Sequence, residues 1–416
     1  MALRLARPAI ILPLLLTAGL GAVRLVAVPT LSDPSGAPLP ESLHLATPWV
    51  YLLLAPLFSL WDAASMLSMS RLRGFLLGLA ILYGAWRCGR ALLRRRRGNH
   101  RTLRQSVRRE TLALALSLGA LLLFLAGGAL WHRPMLALAG ADRNDIVADF
   151  HSHTNVSHDV QGTLMGGYDA AATLRWHRRA GFDAVFITDH NTMEGFRSTP
   201  GPPDLCPGIE VSAWRAHIVL LGATQPVDRN RYGGDLAGLL DLLRASESGY
   251  GALSVASIPE YERNHWGRLD TLIAAGLDGF EVANAAPKAN EISRERRDSV
   301  IALARRTGRF VVGVSDHHGW GATSMVWNLV RAPRWREGAR GACPTVLARL
   351  RTGFAAVRVV ERHRLRPDAW WPAWLTPVGM VWESWRSMGS ALTLSWFLWI
   401  WVVASIRVLA GPRGRE

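Results

Sequence analysis

Residues 149–153 read Asp-Phe-His-Ser-His and close a short apolar run, 146–150. Side chains two apart point the same way along an extended backbone, so His151 and His153 can reach one ion together. The arrangement recurs. The run 184–188 is followed by Asp189-His190-Asn191, the run 208–211 carries Glu210, and the run 310–314 is followed by Ser315-Asp316-His317-His318. In each case polar, metal-ligating side chains stand at or just past the end of a segment that reads as a strand. His217, which opens the run 217–221, is the exception. Two further runs, 252–256 and 279–282, complete a set of seven.

Working outward, helical patterns lie between several of these runs, at 169–180, 236–246 and 291–307. Strands alternating with helices predict a parallel α/β arrangement. Seven strands is close to a barrel count, and in α/β barrels the chemistry gathers at the C-terminal strand ends.

The charge lies elsewhere. The formal net charge is +16, but residues 145–364 carry 26 basic and 24 acidic side chains, so the flanks hold most of it. Eight arginines crowd one stretch: Arg94 to Arg97, Arg101, Arg104, Arg108 and Arg109. Between two apolar segments such a run marks the cytoplasmic side of a membrane rather than a nucleic-acid stripe, and no nucleic-acid partner is expected. Runs 9–28, 74–93, 111–131 and 391–409 are expected to span, since about 20 apolar residues suffice. Segment 29–48 has the composition of a loop. Segment 49–70, which contains Asp62, either spans or lies at the interface. Trp370, Trp371, Trp374, Trp382 and Trp385 precede the last span, as an interfacial belt would.

With the arginine run cytoplasmic, four spans place the middle segment outside and both termini inside. Five would move either the N-terminus or the arginine loop outside. Arg71 and Arg73 fit the four-span arrangement poorly. The expected division is a membrane region (1–141), a metal-bearing α/β domain (142–365), and a Trp-rich interfacial segment with the last span (366–416). Of three cysteines, Cys206 and Cys343 would be able to pair outside the cytoplasm, but they are read as two unrelated thiols.

Neutral imidazole and carboxylate are good ligands for Mn²⁺, Zn²⁺ and Fe²⁺. A carboxylate such as Glu210 or Asp316 can bridge two ions, and ions about 3.5–4 Å apart suit the hydrolysis of phosphate esters. A lone His-x-His is more often incidental than a ligand pair; the combination at successive strand ends is what points to a site. No P-loop, nucleophile elbow or dinucleotide fingerprint occurs.

Segments 149–159 (DFHSHTNVSHD), 188–191 (TDHN), 208–212 (GIEVS), 217–221 (HIVLL) and 315–319 (SDHHG) resemble, in order, the motifs of the PHP superfamily, named for polymerase and histidinol phosphatase. The resemblance covers residues 146–320. It implies a distorted seven-stranded (β/α) barrel, here flanked by transmembrane helices, with two or three divalent ions and hydrolysis of a phosphate mono- or diester. The ligands it implies are His151, His153, His158, His190, Glu210, His217, Asp316 and His318, with Glu210 as the bridge. After the first motif both His158 and Asp159 are eligible as ligand. His158, Asp159 or His317 would protonate a leaving group, and Asp189 would support a neighbouring ligand.

One departure stands out. Residues 256–259 read Ala-Ser-Ile-Pro, with Ile258 where the family commonly has a histidine; Glu260 and His265 are the candidate substitutes. Arg215 and Lys288, the only lysine, are candidates to hold a phosphate, and Asn284 to line the pocket. Arg175, His177, Arg178 and Arg179 read as a solvated helix face. The expected partner is a phosphate ester, lipid-linked or from the cell envelope. A non-catalytic membrane sensor is the alternative. A transporter is disfavoured because acids within the spans are few, Asp62 excepted.

Overall fold

The computed structural model describes residues 2–96, 102–163, 166–199, 204–338 and 341–410. Arg97 and Arg101, which belong to the arginine run, lie outside the described residues. Twelve strands occur among the described residues: β1 (Leu31–Ser32), β2 (His44–Ala46), β3 (Ala137–Ala139), β4 (Asp145–Ser152), β5 (Ala184–Ile187), β6 (Leu205–Ala213), β7 (Ala216–Leu221), β8 (Leu253–Ala256), β9 (Gly279–Asn284), β10 (Phe310–Val314), β11 (Val326–Arg331) and β12 (Val357–Arg362). Ten form one sheet in the order β1-β12-β11-β4-β5-β6-β7-β8-β9-β10, while β2 and β3 pair separately.

All seven expected strands are present. The count of seven is corrected to ten, because β11, β12 and β1 extend the sheet beyond β4. The all-parallel expectation is also corrected. β4-β5-β6 and β8-β9-β10 are parallel, but β7 runs antiparallel to both of its neighbours. Segment 29–48 is more than a loop, since it supplies β1 and β2.

The sheet curls until its last strand returns to β4. Just past β10, Asp316 N–H donates to His151 O and His153 N–H to His317 O, both at 2.9 Å. Below this seam the buried Asn328 of β11 donates to Ala148 O and Gly313 O and accepts from Gly313 N–H. Gly313 is needed there, because a Cβ would fall 2.1 Å from Val326 Cγ1.

The helices end where local chemistry dictates. Asp169, Asp235 and Ser293 cap the starts of Ala170–Ala180, Leu236–Tyr250 and Arg294–Thr307 by accepting backbone N–H bonds, and left-handed Gly181, Gly251 and Gly308 stop them. Cys206 and Cys343 are joined as a disulfide, with Cα atoms 5.4 Å apart. The reading as unrelated thiols is thereby corrected. β6 carries one cysteine and helix Ala342–Leu350 the other, so only the folded packing brings them together.

Among the described residues, three helices are long and apolar enough to cross a membrane by length and composition, at Met69–Arg94, Arg104–Leu130 and Ser390–Leu409. The expected first span forms the helix Ala2–Arg24, whose apolar stretch Ile10–Arg24 is shorter. Segment 49–70 breaks into Trp49–Leu53 and Ala55–Ser65, neither long enough to span. Arg71 is buried, and its guanidinium donates to the carbonyls of Arg366, Pro367, Ala369 and Trp371. That role in fastening the chain explains its position without reference to membrane sidedness.

Candidate metal centre

The strand ends converge on one mouth. β4 brings His151 and, just beyond it, His153; the turn after β5 brings His190; β6 brings Glu210; and the turn after β10 brings Asp316 and His318. His217 is no exception in space. Because β7 is antiparallel, its first residues lie at the mouth where its neighbours' last residues lie, and Ser212 pairs with His217 across the hairpin.

The ligand atoms are close. His151 Nε2 is 3.0 Å from both His153 Nε2 and Glu210 Oε2. His153 Nε2 is 3.1 Å from Asp316 Oδ1, and His190 Nε2 is 3.2 Å from Glu210 Oε2. The other oxygen of Glu210 is 3.1 Å from His217 Nδ1. Asp159 Oδ2 lies 2.7 Å from His318 Nε2 and 3.5 Å from His190 Nε2. Four overlapping groups of three potential ligands occur among the described residues: His151–His153–Asp316, His153–His190–Glu210, His153–Asp159–His318 and His158–Asp159–His190. His153 belongs to three of them. Asp159 and the exposed His158 both reach the site, so the choice between them resolves into two adjacent places.

The remaining candidates sort by position. Buried Asp189 accepts from Thr154 N–H at 2.6 Å and Thr154 Oγ1 at 2.8 Å, which fastens the loop after β4. Desolvation raises its carboxyl to about 6. Ile258 is buried, and its N–H donates to Glu281. Glu260 Oε2 instead lies 3.7 Å from His217 Nδ1, buried and without a hydrogen-bond partner. His265 packs on Trp214 and joins none of the four groups. His317 is stacked on Trp176 with ring centroids 3.9 Å apart, so the expectation of an acid there is corrected. Arg215 and Lys288 are exposed, and among the described residues neither side chain contacts the ligands.

Several supporting residues escaped the sequence reading. Glu281 Oε1 is 2.6 Å from His151 Nδ1, and its other oxygen accepts from Ser257, Ile258 N–H and Asn284. Asn284 also donates to Asp316, as expected of a lining residue. Ser157 Oγ is shared among His153 Nδ1, Asp159 and the N–H of His190. Asp149 accepts from Ser315 N–H and Oγ and lies 2.7 Å from His177 Nε2, tying the first motif to the last. His177 is therefore buried and structural rather than solvated. Such partners orient ligands and tune their basicity. An apolar run ending in Asp-Phe-His was the signal available for Asp149. Glu281, inside an ordinary strand, offered none.

Five carboxylates, Asp159, Glu210, Glu260, Glu281 and Asp316, have only histidines as charged contacts among the described residues. Burial disfavours the charged form of His318 and His217, yet Asp159 and Glu210 overcome it and hold both up to about 9. Burial and the neighbouring His318 push His153 down to about 4. Proton-bearing imidazoles thus occupy places where a cation would be better held. The orphaned Glu260 oxygen and the nitrogen-oxygen donor set both fit divalent ions. A cavity of about 430 Å³ bounded by Asn191, Met193, Glu194, Arg197 and Pro226 borders the turn that carries His190.

No family model matches the chain, and no curated protein matches it. Among solved structures it is similar to a candidate metal-dependent phosphoesterase from Bifidobacterium adolescentis, at 20% identity over 41% of this chain and 87% of that one, with a TM-score of 0.30. It is also similar to a two-domain protein from Bacteroides vulgatus containing a predicted PHP-like metal-dependent phosphoesterase, at 16% identity over 46% and 60%, TM-score 0.32. An amidohydrolase from Chromobacterium violaceum is similar at 18% identity over 53% and 98%, TM-score 0.30.

Proposed function

We propose that this chain is a membrane-anchored, metal-dependent phosphoesterase that hydrolyses a phosphate mono- or diester. The observation that carries the reading is the set of overlapping three-ligand groups sharing His153, which suits two or three ions held side by side. Two or three divalent ions, Mn²⁺, Zn²⁺ or Fe²⁺, would supply a hydroxide at neutral pH and offset charge on the phosphoryl oxygens. His151, His153, His190, Glu210, His217, Asp316 and His318 would hold them, with Glu260 in the place that Ile258 vacates and Glu210 central. Asp159 and His158, on the accessible side, are placed to ligate or to protonate the leaving oxygen. Glu281, Ser157 and Asn284 fix ligand orientation, and Asp189 holds the loop that carries Asp159.

Residues 142–365 are the catalytic domain in this reading, between membrane segments 1–141 and 366–416. Two observations support a position outside the cytoplasm. The Cys206–Cys343 disulfide suits an oxidising compartment. The described arginines Arg94, Arg96, Arg104, Arg108 and Arg407 lie toward the helix ends remote from the sheet. A binding module without turnover would be favoured by Ile258 alone, and Glu260 beside His217 weakens that case.

The test is hydrolysis of nitrophenyl phosphate mono- and diesters by detergent-purified protein with Mn²⁺, beside a His151→Ala/His153→Ala variant. Turnover abolished by chelation and by the double substitution is expected. Folded protein that binds Mn²⁺ at these residues yet turns over no ester would favour the binding module.

A further inference from the structure

The catalytic mouth and the apolar helices share a boundary. The loop after β9, three residues beyond Asn284, accepts from Met69 N–H at Pro287 O, 2.8 Å away, where the first long apolar helix begins. Its Glu291 accepts from Ser70 Oγ at 2.8 Å. The loop after β10 touches the second such helix, since Gly321 N–H donates to Ala129 O at 2.8 Å in that helix's last turn. β12 also leaves the sheet on this side, toward helix Ser390–Leu409. The opposite end of the sheet carries solvated ion pairs such as Arg178–Asp204, Arg336–Asp183 and Arg351–Glu247.

Trp320 lies in the loop after β10, on the side of the sheet that meets the apolar helices. It is two residues past His318, beside Gly321, and its indole is 42% exposed. Gly319 makes the turn, with φ +82 and its Cα packed against Gly167 and Tyr168, where a Cβ would stand 2.5 Å from Tyr168 N. Trp131, which caps the C-terminal end of the second long apolar helix, is exposed as well, as is Trp370 in the segment that follows β12. An exposed tryptophan at the end turn of a spanning helix is the side chain that settles at headgroup level.

We propose that Trp320 seats the catalytic mouth in the membrane interface, and that the substrate is a phosphate ester carried by a lipid of that leaflet. This rests on the phosphoesterase reading and on the long apolar helices spanning the bilayer. The ester is then delivered by lateral diffusion to the accessible side of the centre, where Asp159, His158 and His318 lie. Large soluble polymers would be excluded by the bilayer itself.

Full-length protein reconstituted in lipid vesicles with Mn²⁺ would be assayed on two nitrophenyl phosphodiesters, one with a methyl and one with a hexadecyl group. The expected result is turnover of both, with the hexadecyl ester preferred by about tenfold or more in kcat/KM. Trp320→Ala should lose most of that preference while keeping the methyl-ester rate, and Trp320→Phe should restore it. Equal rates on the two esters, or equal loss on both in Trp320→Ala, overturn the interfacial substrate and leave the phosphoesterase reading standing. No turnover of either ester overturns both. A readout independent of activity uses Trp320→Cys in a Cys88→Ser background, labelled with a fluorophore. Quenching by headgroup-spin-labelled lipid and shielding from iodide are expected; the reverse pattern overturns the proposal.

Discussion

The buried charge clusters around Asp62 and at the mouth are built on opposite terms. Around Asp62 both carboxylate oxygens are doubly engaged. Oδ1 accepts from Arg133 at 2.6 Å and Thr323 at 2.9 Å, and Oδ2 from Tyr51 and Arg362, both at 2.8 Å. Arg133 also lies over the rings of Phe58 and Trp61. One anion meets two cations, and four segments from different parts of the chain are pinned together. At the mouth, five carboxylates have only imidazoles as charged contacts among the described residues, and one oxygen of Glu260 has no hydrogen-bond partner. A saturated cluster does structural work, whereas a cluster short of cations is poised to take one. Asp62, the lone acid that a sequence reading could mistake for an ion pathway, belongs to the first kind.

The comparison is sharpened most by removing one carboxylate from each cluster. Glu210→Gln should lower turnover about a thousandfold, equivalent to about 4 kcal/mol in the barrier. The thermal midpoint of the metal-free protein should fall less than it does for Asp62→Ala, because Gln keeps the shape of the side chain and the imidazoles around it can shed their protons, which arginines cannot. If Glu210→Gln unfolds the protein instead, the centre is structural and the contrast fails. Asp62→Ala should act the other way. It strands Arg133 and Arg362 and is expected to cost about 3–5 kcal/mol of stability, read as a lower thermal midpoint in detergent. Turnover per folded molecule should stay near the unsubstituted value.

Metal addition separates the clusters without mutation. Mn²⁺ at about a hundred times its dissociation constant should stabilise the protein by about 2.7 kcal/mol, if it binds the folded state alone. The His151→Ala/His153→Ala variant should show almost none of this. Asp62→Ala should keep it, starting from a lower baseline. An equal shift in all three proteins would mean that Mn²⁺ binds elsewhere.

The two clusters also differ in how far the sequence revealed them. The metal centre was legible because its ligands follow strand ends, so that period-two apolar runs and His-x-His announce each other. The reversal of β7 was not legible, since a strand's direction is set by its pairing partners and not by its own residues; hence His217 looked out of place. The seven-strand count missed β11 and β12 because β11 joins β4 across 180 residues of sequence, from Ala148 to Asn328, and β12 enters the sheet by pairing with β11. The Asp62 cluster was illegible for the same reason. Arg362 is 300 residues away, and nothing local to an arginine on a strand tells which acid it will meet. Disulfide pairing of Cys206 with Cys343, 137 residues apart, follows that pattern too.

The smallest expected effect tests whether saturation is the general rule for the structural clusters. Glu361, in β12 beside Arg362, is surrounded by Arg297, Arg364 and Arg366. Burial opposes its ionisation, but Arg364 and Arg297 outweigh that and hold the carboxyl at about 2, against an ordinary value of 4.5. Because the folded-state value is the lower one, this carboxylate contributes stability fully above pH 4.5 and loses it as pH falls toward 2. Lowering pH from neutral to about 3.5 should therefore remove about 1.4 kcal/mol through this group alone. Glu361→Gln is expected to be less stable at neutral pH and to lose stability less steeply over that interval. The difference between the two slopes, taken from thermal midpoints of wild type and variant, isolates Glu361 from the other carboxylates. Parallel slopes would mean that the arginines around Glu361 do not hold it ionised, and that this cluster is less tightly closed than the one around Asp62.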